Sequence, residues 1–390
     1  MRTFEILFWI SLFIVFYTYI GYGIVLYILV KIKETFRKPI HYPMPPDEKL
    51  PELTLFIAAY NEEDVVDEKM QNCLDLDYPA EKLQIFWVTD GSNDHTNERL
   101  SRWPQATVLH QPQRQGKTAA LNRGMKFVKT PLVIFTDANT HLNREALREI
   151  VHCVAGEKRI AVQSKDNAAS GGEGIYWKYE STLKALDSRL YSAVGAAGEL
   201  FAVRSDLFED MKTDTLLDDF ILSLRIAMRG YTIAYCAAAY ATEGGSADMQ
   251  EEEKRKVRIA AGGLQSIWRL RPLLNPFRYG WLNFQYVSHR VLRWSITPIL
   301  LFLLLPLNVI LLFTSSCPLF YAVILGLQIL FYLMGIWGYI LSRKHIKNKI
   351  LFIPYYFLFM NVNVIRGFRY LSKRKGNSSG AWEKARRAGQ

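Results

Sequence analysis

Residues 131–140 read PLVIFTDANT, a short apolar run that ends on Asp137 with Asn139 two positions later. The same plan recurs upstream. LTLFIAAY (53–60) leads into Asn61-Glu62-Glu63, and KLQIFWVTDGS (82–92) leads into Asp90. Runs this short and this apolar suit strands buried on both faces. Helical stretches over 62–75 and 117–129 lie between them. Strands alternating with helices predict an α/β domain with a parallel sheet covered on both sides. Open sheets of that kind bind ligands at the carboxyl ends of their strands, where the polar residues stand here. The glycine fingerprint of dinucleotide folds is absent. Gly116-Lys117-Thr118 looks like the end of a phosphate loop, but Gln111 stands where that pattern needs glycine. Gly116 ahead of Lys117 at a helix start is still a suitable place to meet phosphate oxygens.

Outside this domain the composition changes. The chain has 390 residues, 50% of them hydrophobic, and the apolar ones are concentrated near the two ends. Residues 6–30 carry no charge and are long enough to cross a bilayer. They exceed a signal-peptide core, and no small-residue cleavage site follows them. Two further spans are expected at about 295–315 and 318–341. Residues 350–365, interrupted by Pro354, Asn361 and Asn363, are expected to lie in the interface or to re-enter.

Net charge is +11, but it is local. Residues 31–38 carry +3, 254–294 carry +9, 343–349 carry +4 and 365–390 carry +7, which leaves the central domain acidic. Basic flanks of hydrophobic segments mark cytoplasmic sides and rest on anionic head groups. Charge that tracks the membrane segments does not point to nucleic acid. These counts predict a multi-pass protein of the plasma or inner membrane, with three spans and a cytoplasmic catalytic domain. Residues 275–294, NPFRYGWLNFQYVSHRVLRW, mix arginine with aromatics and contain no acid, a composition suited to interfacial helices. The expected organisation is a transmembrane helix and basic flank (1–38), a catalytic domain (50–260), interfacial amphipathic helices (261–294), a membrane region (295–371) and a basic tail (372–390). The four cysteines form no CxxC pair, and those of the central domain are expected to be buried reduced thiols.

Three acidic constellations carry the chemistry: Asp90, Asp137 with Asn139, and Asp218-Asp219 in LLDDFILSLRIAMRG. Taken singly, each would pass for a turn or a helix cap. Together with AAYNEE (58–63), TDGSNDHT (89–96), GKTAALNRG (116–124), GAAGELFAVR (195–204) and DDFILSLRIAMRGY (218–231), they follow the order found in glycosyltransferase family 2. With membrane segments on both sides, the chain resembles the membrane-embedded branch that includes cellulose, hyaluronan and poly-N-acetylglucosamine synthases. The resemblance covers about residues 50–300. It implies a GT-A fold, a nucleotide-sugar donor and an inverting transfer.

Carried over residue by residue, the resemblance makes Tyr60, Glu62 and Asp90 donor-binding, with Lys117, Asp137 and Arg258 at the diphosphate. Asp137 and Asn139 would hold Mg²⁺ or Mn²⁺, the asparagine offering a neutral oxygen. Asp219 would be the general base, beside Asp218 where glutamate is more usual. Gly198 and Glu199 would line the acceptor site. The clearest departure lies at 255–259. Processive synthases carry Gln-x-x-Arg-Trp there, and this chain has Arg255, Arg258 and Ile259, which bears on processivity more than on catalysis. The implied partners are a nucleotide sugar, a UDP-sugar in the first instance, a growing polysaccharide or glycolipid acceptor, the bilayer, and an export or regulatory protein. Two alternatives stay open: a single transfer onto polyprenyl phosphate or another lipid, and an inactive membrane scaffold.

Overall fold

The computed structural model describes residues 2–37, 44–154, 159–162, 171–243, 249–344, 346 and 348–374. The expected basic tail lies outside the described residues from 375 onward. Nine strands form: β1 (Leu53–Ala59), β2 (Leu83–Asp90), β3 (Ala106–Gln111), β4 (Leu132–Asp137), β5 (Thr140–Leu142), β6 (Arg159–Val162), β7 (Leu200–Arg204), β8 (Thr232–Tyr235) and β9 (Ala241–Glu243). Seven make one sheet in the order β3-β2-β1-β4-β7-β6-β8, and β5 pairs with β9.

The first four strands of that order are parallel, as expected. β7, however, runs antiparallel to both β4 and β6, so the sheet is mixed. An apolar run of five residues does not encode its own direction; the connection that delivers it does. Alternate residues supply the two faces. Leu53, Leu55 and Ile57 pack with Trp87 and Ile134 on one side, while Phe56, Phe86, Phe135 and Phe201 pack on the other. The register Ala59↔Thr89 and Ala58↔Asp137 levels the carboxyl ends of β1, β2 and β4, which brings Tyr60, Asp90 and Asp137 to one edge.

Gly195 lies at φ +82°, and a Cβ there would stand 2.1 Å from the Phe220 ring. Gly195→Val therefore combines a strained backbone with an overpacked core. It should destabilise the protein by about 2 kcal/mol or more, read as a lowered unfolding temperature.

Cys153, in the helix Ala146–Val154, and Cys236, just past β8, form a disulfide with Cα atoms 6.1 Å apart. This corrects the expectation of reduced thiols for these two; Cys73 is free and buried, and Cys317 is free and exposed. The partners are 83 residues apart and meet because β8 takes the place beside β6 at the sheet edge. Such bridges persist in oxidising compartments and in hyperthermophile cytosols.

Among the described residues four helices are long and apolar enough to cross a membrane: Arg2–Phe36, Ile296–Thr314, Pro318–Arg343 and the helix beginning at Lys349. The last runs unbroken from Lys349 to Arg374 with Pro354 inside it, and takes in all of 350–365. Its Gly367 meets the helix Met249–Arg269, where a Cβ would lie 2.8 Å from Ala260 Cβ and 2.9 Å from the Ala261 nitrogen. Glu253 and Arg366 pair beside that crossing. At the other end, Tyr22, Leu26 and Val30 of the N-terminal helix pack on Leu183, Leu186 and Leu190 of the helix Gly171–Leu190. Membrane-type helices thus grip the α/β domain on two sides. Trp268, Phe277 and Trp281 are exposed along the 261–294 segment.

Candidate active site

The loops after β1 and β2 are tied to each other. Asn61, at φ +52°, donates its backbone N–H to Ser92 Oγ at 3.1 Å and its Nδ2 to Asn93 Oδ1 at 2.7 Å. The Glu62 N–H donates to Thr96 Oγ1 at 2.9 Å. These bonds fix a wall made of the buried Glu62 side chain and the Tyr60 ring, over which the Arg114 guanidinium lies at 3.7 Å.

Asp90 is 1% exposed. Its Oδ2 accepts from the N–H groups of Gln115 at 2.9 Å and Gly116 at 2.6 Å, and Arg123 approaches its Oδ1 at 3.4 Å. The carboxylate thereby shapes the turn that starts the helix Lys117–Met125.

Lys117 Nζ donates to Asp137 Oδ1 at 2.7 Å, with both side chains about three-quarters buried. Burial works against the ammonium charge, but Asp137, Asp218 and Asp219 outweigh it and push the lysine pKa well up. Lys117 is a fixed cation. Asp218 and Asp219 open the helix Asp218–Met228, where the macrodipole favours negative charge. Burial, with the neighbouring Asp218 charge, nevertheless pushes Asp219 up to about 7, against the opposing effects of Lys117 and of the Phe220 N–H. A carboxylate poised there takes a proton efficiently at neutral pH.

Gly198 joins these groups. A Cβ on it would lie 3.5 Å from Asp219 Oδ2 and 3.7 Å from Lys117 Nζ, so the missing side chain leaves room beside the Asp219 carboxylate and the Lys117 ammonium. Glu199 follows, with its carbonyl accepting from Thr136 Oγ1 at 2.9 Å and its carboxylate 3.5 Å from Arg255. Arg255 also lies 3.6 Å from Glu243. The residue standing in place of the family's glutamine is therefore an ion-pair hub. Arg258 is half-buried and makes no hydrogen bond or ion pair among the described residues. Gly262, one turn further on the same helix face, lies against Leu217, which places Arg258 one turn away from the contact next to Asp218.

Two buried lysines near the site were not singled out in the sequence. Lys69, 1% exposed, donates to the Thr140 carbonyl at 2.7 Å and to Thr136 Oγ1 at 3.2 Å, beneath the Asp137–Thr140 turn. Burial pushes its pKa down to about 8. Its signal was its place among Val66, Met70 and Cys73 on the buried face of the helix Val66–Leu74. Lys184 is the second, 7% exposed and within the fields of Glu199 and Asp219.

Among the described residues no three histidine, cysteine or acidic side chains converge as a metal cage. Asp137 and Asn139 offer one carboxylate and one amide oxygen, and Asp218 Oδ2 is buried without a partner. That set fits a hard cation whose coordination is completed by substrate phosphates, the usual manner of Mg²⁺.

Residues 54–211 match the family model described as glycosyl transferase family 2. The beta-monoglucosyldiacylglycerol synthase of Trichormus variabilis is 26% identical over 246 residues, which cover 59% of this chain and 53% of that protein. The poly-beta-1,6-N-acetyl-D-glucosamine synthase of Staphylococcus aureus is 25% identical over 254 residues, 60% of this chain and 61% of that one. The matched segment thus spans little more than half the length of these relatives. A mannosyltransferase from Pyrobaculum calidifontis, solved with GDP-Man and Mn²⁺, shares the fold with a TM-score of 0.70 over 95% of this chain and 99% of its own, at 20% identity. The family's pattern runs unbroken from β1 through β7 on an architecture shared with a solved transferase, and residues 54–211 therefore belong to a glycosyltransferase family 2 domain of GT-A fold, held here among membrane-type helices.

Proposed function

We propose that the chain is an inverting membrane glycosyltransferase that moves a sugar from a nucleotide sugar, a UDP-sugar in the first instance, to a hydroxyl of a lipid or glycan acceptor at the cytoplasmic face. The observation that carries this reading is the space in front of Gly198, bounded by the Asp219 carboxylate and the Lys117 ammonium. The acceptor oxygen attacks the anomeric carbon, and its proton passes to Asp219. The bond to the diphosphate breaks with its electron pair on the leaving oxygen, and Lys117 balances that charge. Arg258 is the further cation for the diphosphate. Asp137 and Asn139 would hold a divalent ion, which would supply further electrostatic stabilisation of the leaving group. Tyr60 and Glu62 bound the nucleoside side, and Gly198 with Glu199 bound the acceptor side.

Single transfer to a lipid acceptor is favoured over processive extension. Ile259 replaces the tryptophan of processive synthases, and Arg255 is engaged with Glu199 and Glu243. Screening UDP- and GDP-sugars with the purified protein and Mn²⁺ or Mg²⁺ tests the reading. Turnover of one donor is expected, with one defined product rather than a ladder. Failure to turn over any donor would refute the enzyme.

A further inference from the structure

Beside the site lies a group of buried charges that the transfer does not use. The helix Gly171–Leu190 presents Glu180, Lys184 and Asp187 one turn apart, away from the leucines that pack on the N-terminal helix. Glu180 accepts from Arg290 and Arg293, each at 2.7 Å, and lies 3.0 Å from His289 Nε2. Asp187 is engaged by His289 Nδ1 at 2.6 Å, by Gln285 Nε2 at 3.0 Å and by the Tyr22 hydroxyl. Three cations then remain undersatisfied. Lys184 makes no hydrogen bond or ion pair among the described residues. Arg290 Nε, and both Nε and Nη2 of Arg293, are buried donors without acceptors.

Buried charged donors left unpaired are destabilising unless something accepts from them. The cluster also has a direction. Lys184 lies within the fields of Arg290, Glu180, Glu199 and Asp219. Arg293 stands 5.8 Å over the ring of Tyr19 in the N-terminal membrane helix. The unpaired donors therefore stand close both to the Glu199 and Asp219 carboxylates and to the N-terminal helix.

We propose that Lys184, Arg290 and Arg293 form an anion subsite holding the phosphate of a lipid acceptor, one whose attacking hydroxyl lies close to that phosphate, as in a glycerophospholipid headgroup or a lipid-linked sugar phosphate. The proposal rests on the glycosyltransferase reading above. The acceptor O–H bond breaks to give its proton to Asp219, the oxygen bonds to the anomeric carbon, and the nucleoside diphosphate leaves with the electron pair. The acceptor phosphate is held and chemically unchanged.

The full-length protein in phosphatidylcholine nanodiscs tests this, with phosphatidylglycerol, diacylglycerol and soluble glycerol 3-phosphate offered as acceptors and donor hydrolysis followed in parallel. Phosphatidylglycerol should exceed diacylglycerol at least tenfold in kcat/KM. Lys184→Met should collapse that ratio through a raised KM for phosphatidylglycerol, and Lys184→Arg should keep it. Equal use of the two lipids, an unchanged ratio in Lys184→Met, or glycerol 3-phosphate matching the phospholipid would each overturn the subsite. Absence of donor hydrolysis would instead count against the glycosyltransferase reading itself.

Discussion

Asp219→Asn should reduce sugar transfer by ~10²–10⁴-fold, the usual contribution of a positioned general base, while leaving the protein folded. The substitution preserves shape at the start of the helix Asp218–Met228 and removes only the capacity to take a proton. In the wild type the rate should rise with pH through about 7, as Asp219 ionises, and then level off. That limb should vanish in the variant. Stability should move the other way. A carboxyl group whose pKa is raised on folding binds more protons in the native than in the unfolded state, so its stabilising effect is present at low pH and is lost as pH rises toward 7. The neutral asparagine avoids that loss, and Asp219→Asn should unfold at a higher temperature than wild type above pH 7. Lower activity with higher stability marks a functional group kept at the expense of the fold. A variant with near wild-type transfer would remove Asp219 from the chemistry.

Lys117→Met should have the next largest effect, a loss of roughly 10²–10³ in kcat/KM, as for removal of a preorganised charge at a leaving group. Without the ammonium, Asp137 loses its 2.7 Å partner, and Asp218 and Asp219 face each other without the cation that offsets their repulsion. Lys117 holds the Asp219 pKa down, so its loss should shift the pH–rate limb to more alkaline values. Nucleoside diphosphate binding, measured by calorimetry, should weaken in parallel. Lys117→Arg keeps the charge on a bulkier group and should recover part of the binding. A limb that stays in place would show that Lys117 does not act on Asp219.

The parts legible in the sequence share one physical property: their local pattern is enforced by burial on both faces. β1, β2 and β4 are such runs, and their acidic ends followed from the chain leaving the sheet toward solvent. The direction of β7 and the four-residue strands β6 and β8 depend on long connections, which carry no period. The Cys153–Cys236 pair was hidden for the same reason. Asp90, Lys117, Asp137, Gly198 and Asp219 were legible as a set, but the bonds that Asp90 accepts from the Gln115 and Gly116 amides were not, since they depend on the path of the loop. Lys184 was invisible because LKALDSRL looks like the half-polar surface of any amphipathic helix. Only the tertiary fold shows that its polar side is also buried.

The crossing at Gly367 has a mechanical consequence. With no side chain between them, the final membrane helix and the helix carrying Arg255 and Arg258 meet backbone to backbone at Ala260 and Ala261, and the Glu253–Arg366 pair restrains slippage along the contact. Membrane helices adjust their tilt to the thickness of the bilayer around them. At a contact this close, the tilt of the final helix and the placement of the helix that carries Arg258 become one coordinate, so a change in lipid chain length is expected to reach the α/β domain through this crossing.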